Sequence, residues 1–109
     1  MAGTDSGETI YALSSAPGRA GVAVVRISGA GAGAALECLT GKPTPPPRRA
    51  ALRALIDPQS GAPLDRGLVL WFPGPASFTG EDVVEFHVHG GQAGIAALFR
   101  ALGSLGLRM

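Results

Sequence analysis

Two charged residues sit inside runs that are otherwise apolar. Arg26 interrupts Val22-Ala23-Val24-Val25-Arg26-Ile27, and Glu85 interrupts Val83-Val84-Glu85-Phe86. On an extended strand side chains alternate between faces, so Arg26 shares a face with Val22 and Val24, and Glu85 shares one with Val83 and His87. An ionised group buried alone costs several kcal/mol, so each must meet an opposite charge, a ligand or water. Two arrangements satisfy that requirement. Arg26 and Glu85 form buried ion pairs, with each other or with other groups, or both point into a ligand pocket; spacing alone supports either.

Other candidates are weaker in context. His87-x-His89 places two imidazoles on one strand face, a spacing zinc can use, but a metal site needs a third ligand and Cys38 belongs to a distant helix. Ordinary strand-end histidines are the expectation, and no metal site is assigned. Ser28-Gly29-Ala30-Gly31-Ala32-Gly33-Ala34 follows a strand and opens a helix, as a dinucleotide-binding turn would. That fingerprint needs a parallel crossover to a strand ending in an acidic residue, whereas a proline run intervenes here and Asp57 falls in a hairpin turn. Gly41-Lys42 lacks the upstream glycine of a phosphate loop. His89-Gly90-Gly91 is a close turn at a helix N-terminus, where backbone can approach a ligand or partner.

The elements that hold these residues follow from pattern. Thr9 to Ser14 and the β-branched run Val22 to Ser28 are predicted strands, joined by the Ala16–Gly21 turn. Ser28 is placed to cap a helix over Ala30 to Leu39, which Gly41 ends. Lys42 to Pro47 carries four prolines and is an extended connector. Ala50 to Ile56 and Leu64 to Phe72 form a hairpin about Asp57–Gly61. After a breaker-rich turn through Gly80, Asp82 to Val88 is a strand. A last helix carries Ile95, Leu98, Phe99, Leu102 and Leu105 at helical spacing. The expected class is α+β, a mixed β-sheet with two main helices in the order β-β-α-β-β-β-α.

Composition sets the outer bounds. The 109 residues suit one domain, and 46% apolar against 16% charged residues suits a globular fold. A net charge of +1 supplies no broad phosphate-tracking surface; Arg48, Arg49 and Arg53 form a small basic cluster for which a local RNA contact is one reading and a solvated strand edge the expected one. Cys38, the single cysteine, excludes an internal disulfide and reads as a buried helix residue beside Leu36 and Leu39. No signal peptide or membrane-length apolar run is present, so a cytoplasmic protein is the default.

At four segments the chain resembles a known family. Ala16-Pro17-Gly18-Arg19-Ala20-Gly21-Val22, Val25-Arg26-Ile27-Ser28-Gly29, Phe72-Pro73-Gly74-Pro75-Ala76-Ser77-Phe78-Thr79-Gly80-Glu81-Asp82-Val83-Val84-Glu85 and His89-Gly90-Gly91 closely resemble the N-terminal domain of MnmE (TrmE) proteins. The likeness runs from Thr9 to the end. It implies a tetrahydrofolate-binding fold like that of the aminomethyltransferases, and residues 1–109 as a folate-binding and dimerisation domain. It also implies a cytoplasmic GTPase that, with a flavin-dependent MnmG-type partner, modifies the wobble uridine of certain tRNAs (carboxymethylaminomethyl type). The implied ligand is 5-formyl-tetrahydrofolate or a related reduced folate. The family's folate-contacting arginine and glutamate fall on Arg26 and Glu85, and Arg19, Ser77, Phe78 and Thr79 are further candidates for the pocket wall. Phe78 is otherwise a core plug.

The resemblance further implies that the segment is cut off before a helical domain and a G domain. GTP, Mg²⁺ and K⁺ sites, a further folate-contacting lysine and a C-terminal cysteine motif would all lie past residue 109, and no catalytic residue is assigned within it. The apolar stretch Leu105-Gly106-Leu107-Arg108-Met109, which starts like another strand, agrees with a truncated end. Two other readings remain: a pure dimerisation module whose charges form an internal salt bridge, and a stand-alone one-carbon transferase of related fold.

Overall fold

The computed structural model describes residues 8–15, 22–75, 77, 79–89 and 91–109. Five strands form one sheet: β1 (Ile10–Ser15), β2 (Val22–Ser28), β3 (Ala51–Ile56), β4 (Pro63–Phe72) and β5 (Val83–His89). Two helices complete the chain, α1 (Ala32–Thr40) after β2 and α2 (Gln92–Ser104) after β5. The order across the sheet is β1-β2-β5-β4-β3, with every ladder antiparallel. The five-stranded sheet is thus antiparallel, and an isolated parallel bridge outside these ladders joins Ile10 to Arg108. The predicted α+β class, element order and two helices are therefore present.

Alternation divides the sheet into two faces. Ala23, Val25 and Ile27 of β2, Val84, Phe86 and Val88 of β5, Val69 of β4 and Leu55 of β3 pack with Leu36 and Leu39 of α1 and Leu98 and Leu102 of α2 in one core. Tyr11 closes it with an edge-to-face contact to Phe99, ring centroids 5.1 Å apart. The other face, bearing Val22, Arg26, Glu85, His87 and Leu68, carries neither helix. Both helices bury their apolar stripes against the first face.

Several local expectations change. Ser28 does not cap α1; the N-cap is Gly31, without a side-chain cap, and Thr9 Oγ1 accepts the Gly31 N–H at 2.8 Å. Ser28 is carried away because it ends β2 on the helix-free face. The glycines of this turn have a packing role. Gly29 has φ +139°, and a Cβ there would lie 2.7 Å from the Glu8 carbonyl oxygen and from Thr9 Oγ1. The dinucleotide arrangement is absent, since β2 is antiparallel to both its neighbours. Gly41 ends α1 as expected, with its N–H on the Glu37 carbonyl at 2.8 Å. Cys38 is exposed rather than buried, because Leu36 and Leu39 face the sheet and the 100° step turns Cys38 off that stripe. The hairpin turn forms as read, with Asp57 accepting the Gln59 N–H at 2.9 Å. At the C-terminus, Arg108 exchanges backbone hydrogen bonds with β1, Tyr11 N–H to Arg108 O at 2.7 Å and Arg108 N–H to Thr9 O at 3.0 Å.

Candidate functional site

The two central strands bring the two embedded charges together. In the β2–β5 register Arg26 lies directly opposite Glu85. Arg26 Nη2 donates to Glu85 Oε2 at 2.7 Å and Nε donates to the same oxygen at 3.1 Å. The other oxygen, Oε1, lies 2.9 Å from His87 Nε2, two residues along β5 on the same face. The Glu85 side chain is 10% exposed, against 35% for Arg26 and 32% for His87. The carboxylate is thus the floor of the site and its two partners are the walls.

Burial pushes the Glu85 carboxyl upward. Hydrogen bonds from His87 and Arg26, followed by the charge of Arg26 and that of a protonated His87, outweigh burial and hold it below the ordinary glutamate value. The internal ion pair that the sequence allowed is therefore formed. It lies on the helix-free face, where a ligand can approach without displacing a helix.

A shallow groove of about 320 Å³ adjoins this cluster, with Val22, Leu52, Leu68, His87 and His89 among its lining residues. Its size is within the range of small-molecule sites, and an apolar floor beside a few convergent polar groups suits a flat ring. β4 approaches β5 closely here: a Cβ at Gly67 would lie 2.2 Å from the His87 carbonyl oxygen, so this register admits only glycine.

The remaining candidates separate. Thr79 reaches the same face at the end of β2, with its Oγ1 3.0 Å from Ser28 Oγ, and Ser28 also donates to Glu81 Oε1 at 3.3 Å. Ser77 turns into its own loop, donating from Oγ to the Glu81 carbonyl. The loop is anchored by Gly29 N–H to Asp82 O at 3.0 Å and Gly74 N–H to Asp82 Oδ1 at 2.9 Å. Arg19 and Phe78 lie outside the described residues. His87 and His89 go to separate carboxylates: His89 donates its N–H to Asp65 Oδ2 at 3.0 Å, and its Nδ1 is 3.3 Å from Asp65 Oδ1. Among the described residues no three metal-ligating side chains converge, and none of the helices is long and apolar enough to cross a membrane. Sequence reasoning missed His87 as a member of the charged cluster. The signal was available, because residues two apart on a strand share a face.

The family profile described as GTP-binding protein TrmE N-terminus matches residues 9–109. The chain belongs to this TrmE N-terminal family. It is 64% identical over 102 residues to the tRNA modification GTPase MnmE of Parvibaculum lavamentivorans, covering 93% of this chain and 23% of that protein. It is 62% identical over 105 residues to the human mitochondrial 5-taurinomethyluridine-[tRNA] synthase subunit GTPB3, covering 94% of this chain and 21% of that protein. The MnmE of Paramagnetospirillum magneticum is 65% identical over 101 residues. The TrmE-type chain thus spans about a fifth to a quarter of the length of the curated relatives it matches. Their GTPase chemistry belongs to proteins of which this chain corresponds to the N-terminal domain alone.

Proposed function

We propose that this chain is the reduced-folate-binding and self-associating module of a tRNA modification GTPase. The observation that carries the reading is the Arg26–Glu85 pair, set across the two central strands on the helix-free face. These are the residues on which the family resemblance places its folate contacts. The donor set suits the ligand. A reduced pterin presents a flat edge of adjacent N–H donors, and a fixed carboxylate accepts them, leaving unmatched any ring that lacks those donors. Arg26 offers planar donors to a pterin or formyl oxygen, or to the glutamate-tail carboxylate. 5-Formyl-tetrahydrofolate is the form to try first. Ser77, Thr79, Arg19 and Phe78 are proposed contributors to the wall of the site.

Self-association uses the same face. Val22, Leu52 and Leu68 are large apolar side chains standing exposed there, and a second copy of the chain would cover them as a homodimer. In the whole cytoplasmic protein, GTP hydrolysis with its Mg²⁺ and K⁺, the flavin-dependent MnmG-type partner and tRNA would engage other domains.

Calorimetric titration of the chain with 5-formyl-tetrahydrofolate, beside Glu85→Gln, tests the ligand. Saturable binding that the substitution abolishes supports the reading. Absence of binding by the folded, unaltered chain contradicts it, and favours the pure dimerisation module with a structural ion pair.

A further inference from the structure

Glu85 accepts three side-chain hydrogen bonds from within the chain. A carboxylate offers about four acceptor positions, two on each oxygen. Arg26 Nε and Nη2 fill both positions on Oε2, and His87 Nε2 takes one on Oε1. The capacity that remains is on Oε1, the oxygen His87 engages.

His87 is also a lining residue of the 320 Å³ groove, along with Val22, Leu52 and Leu68. The imidazole therefore borders both the groove and the carboxylate. It holds the carboxylate by one hydrogen bond, at 2.9 Å, where Arg26 holds it by two, at 2.7 and 3.1 Å. Both side chains are about one-third exposed, but Arg26 carries a permanent charge and two bonds, so the single His87 bond is the one that can be exchanged without releasing the carboxylate. Glu85, at 10% exposed, cannot turn outward instead.

We propose that His87 is a latch on the ligand site: its hydrogen bond to Glu85 Oε1 is displaced by a donor edge entering from the groove. This rests on the folate reading above and deepens it. Affinity is then the difference between the ligand's hydrogen bond to Oε1 and the one His87 gives up, so part of the intrinsic affinity is spent in opening the site. His87 acts through Glu85 as a positioning residue. Arg26, with two bonds to the other oxygen, keeps the carboxylate oriented while the exchange occurs.

The test compares the unaltered chain, His87→Ala and Glu85→Gln, with 5-formyl-tetrahydrofolate as the probe. His87→Ala is expected to bind roughly fivefold more tightly, the effect of removing one competing hydrogen bond. In the unaltered chain the ¹⁵N resonance of His87 Nε2 is expected to leave its carboxylate-bonded position as the probe saturates. Equal or weaker binding by His87→Ala, or an Nε2 resonance that stays in place at saturation, overturns the latch while the folate reading stands. Absence of binding by the unaltered chain defeats the folate reading, and the latch with it, whatever His87→Ala does. The resonance is read in the unaltered chain, so the test survives any folding defect in a variant.

Discussion

The two faces of the sheet are made by the same strands and obey opposite rules. On the helix-covered face Val25, Ile27, Val69, Val84 and Phe86 are fully buried, and the charges on that face, Arg53 and Asp65, sit toward its β3–β4 edge. One residue along on the other face stand Arg26, Glu85 and His87, with Leu52, Leu68 and Val22 exposed beside them. The first face has its partners within the chain, in α1 and α2. The second supplies its own partners for charge and, although Val83 is buried at its end, leaves Val22, Leu52 and Leu68 open. A shift of one residue in strand register thus separates the packed core from the charged, open face.

Substitutions can break that separation, and the largest effect belongs to the covered face. Phe86→Ala is expected to cost about 3–5 kcal/mol, because it empties the centre of the core against both helices. Chemical denaturation would register this as a lower midpoint with little change in slope. A loss below about 1 kcal/mol would mean that the two faces are not energetically distinct.

Glu85→Gln is smaller in stability and larger in binding. It is expected to cost about 1 kcal/mol, since Arg26 and His87 are each about one-third exposed and can turn to water. The same substitution should change the acid limb. The folded-state pKa of Glu85 lies below the ordinary value of 4.5, so its contribution is complete above that value and is lost as pH falls through the depressed pKa. Thermal melts between pH 6 and pH 3 should show a shallower acid destabilisation in Glu85→Gln than in the unaltered chain. Parallel curves would remove Glu85 from the pH response.

Leu52→Lys should affect stability least. The side chain is 55% exposed, so the fold should change by less than about 0.5 kcal/mol. If the open face mediates self-association, sedimentation should move toward monomer in this variant. An unchanged dimer would place the interface elsewhere.

Much of this arrangement was legible in the sequence where a local rule governs. β2 was readable to its ends because a β-branched run has no competing pattern, and Gly41 marked the end of α1. The Arg26 and Glu85 anomalies were readable because alternation forces charges into apolar surroundings to find partners. What decided between partners was register across β2 and β5, a relation over 59 residues that no local pattern encodes. The same distance effect hid the Thr9 bond at Gly31, so Ser28 seemed the cap, and it hid the groove, whose lining comes from four strands. Cys38 was misjudged by adjacency: being near two leucines in sequence does not place a residue on their face of a helix. His87 was set aside with His89 as a possible metal pair, although Glu85, equally two residues away on that face, is its partner.

The most direct test of the central claim is an NMR titration of the ¹⁵N,¹³C-labelled chain with 5-formyl-tetrahydrofolate. The account predicts saturable shifts at Arg26, Glu85 and His87 and along the groove at Val22 and Leu68, with Leu36, Leu39, Leu98 and Leu102 of the covered face nearly still. Shifts centred on α1 and α2, or none at saturating ligand, would contradict the assignment of the helix-free face as the binding face.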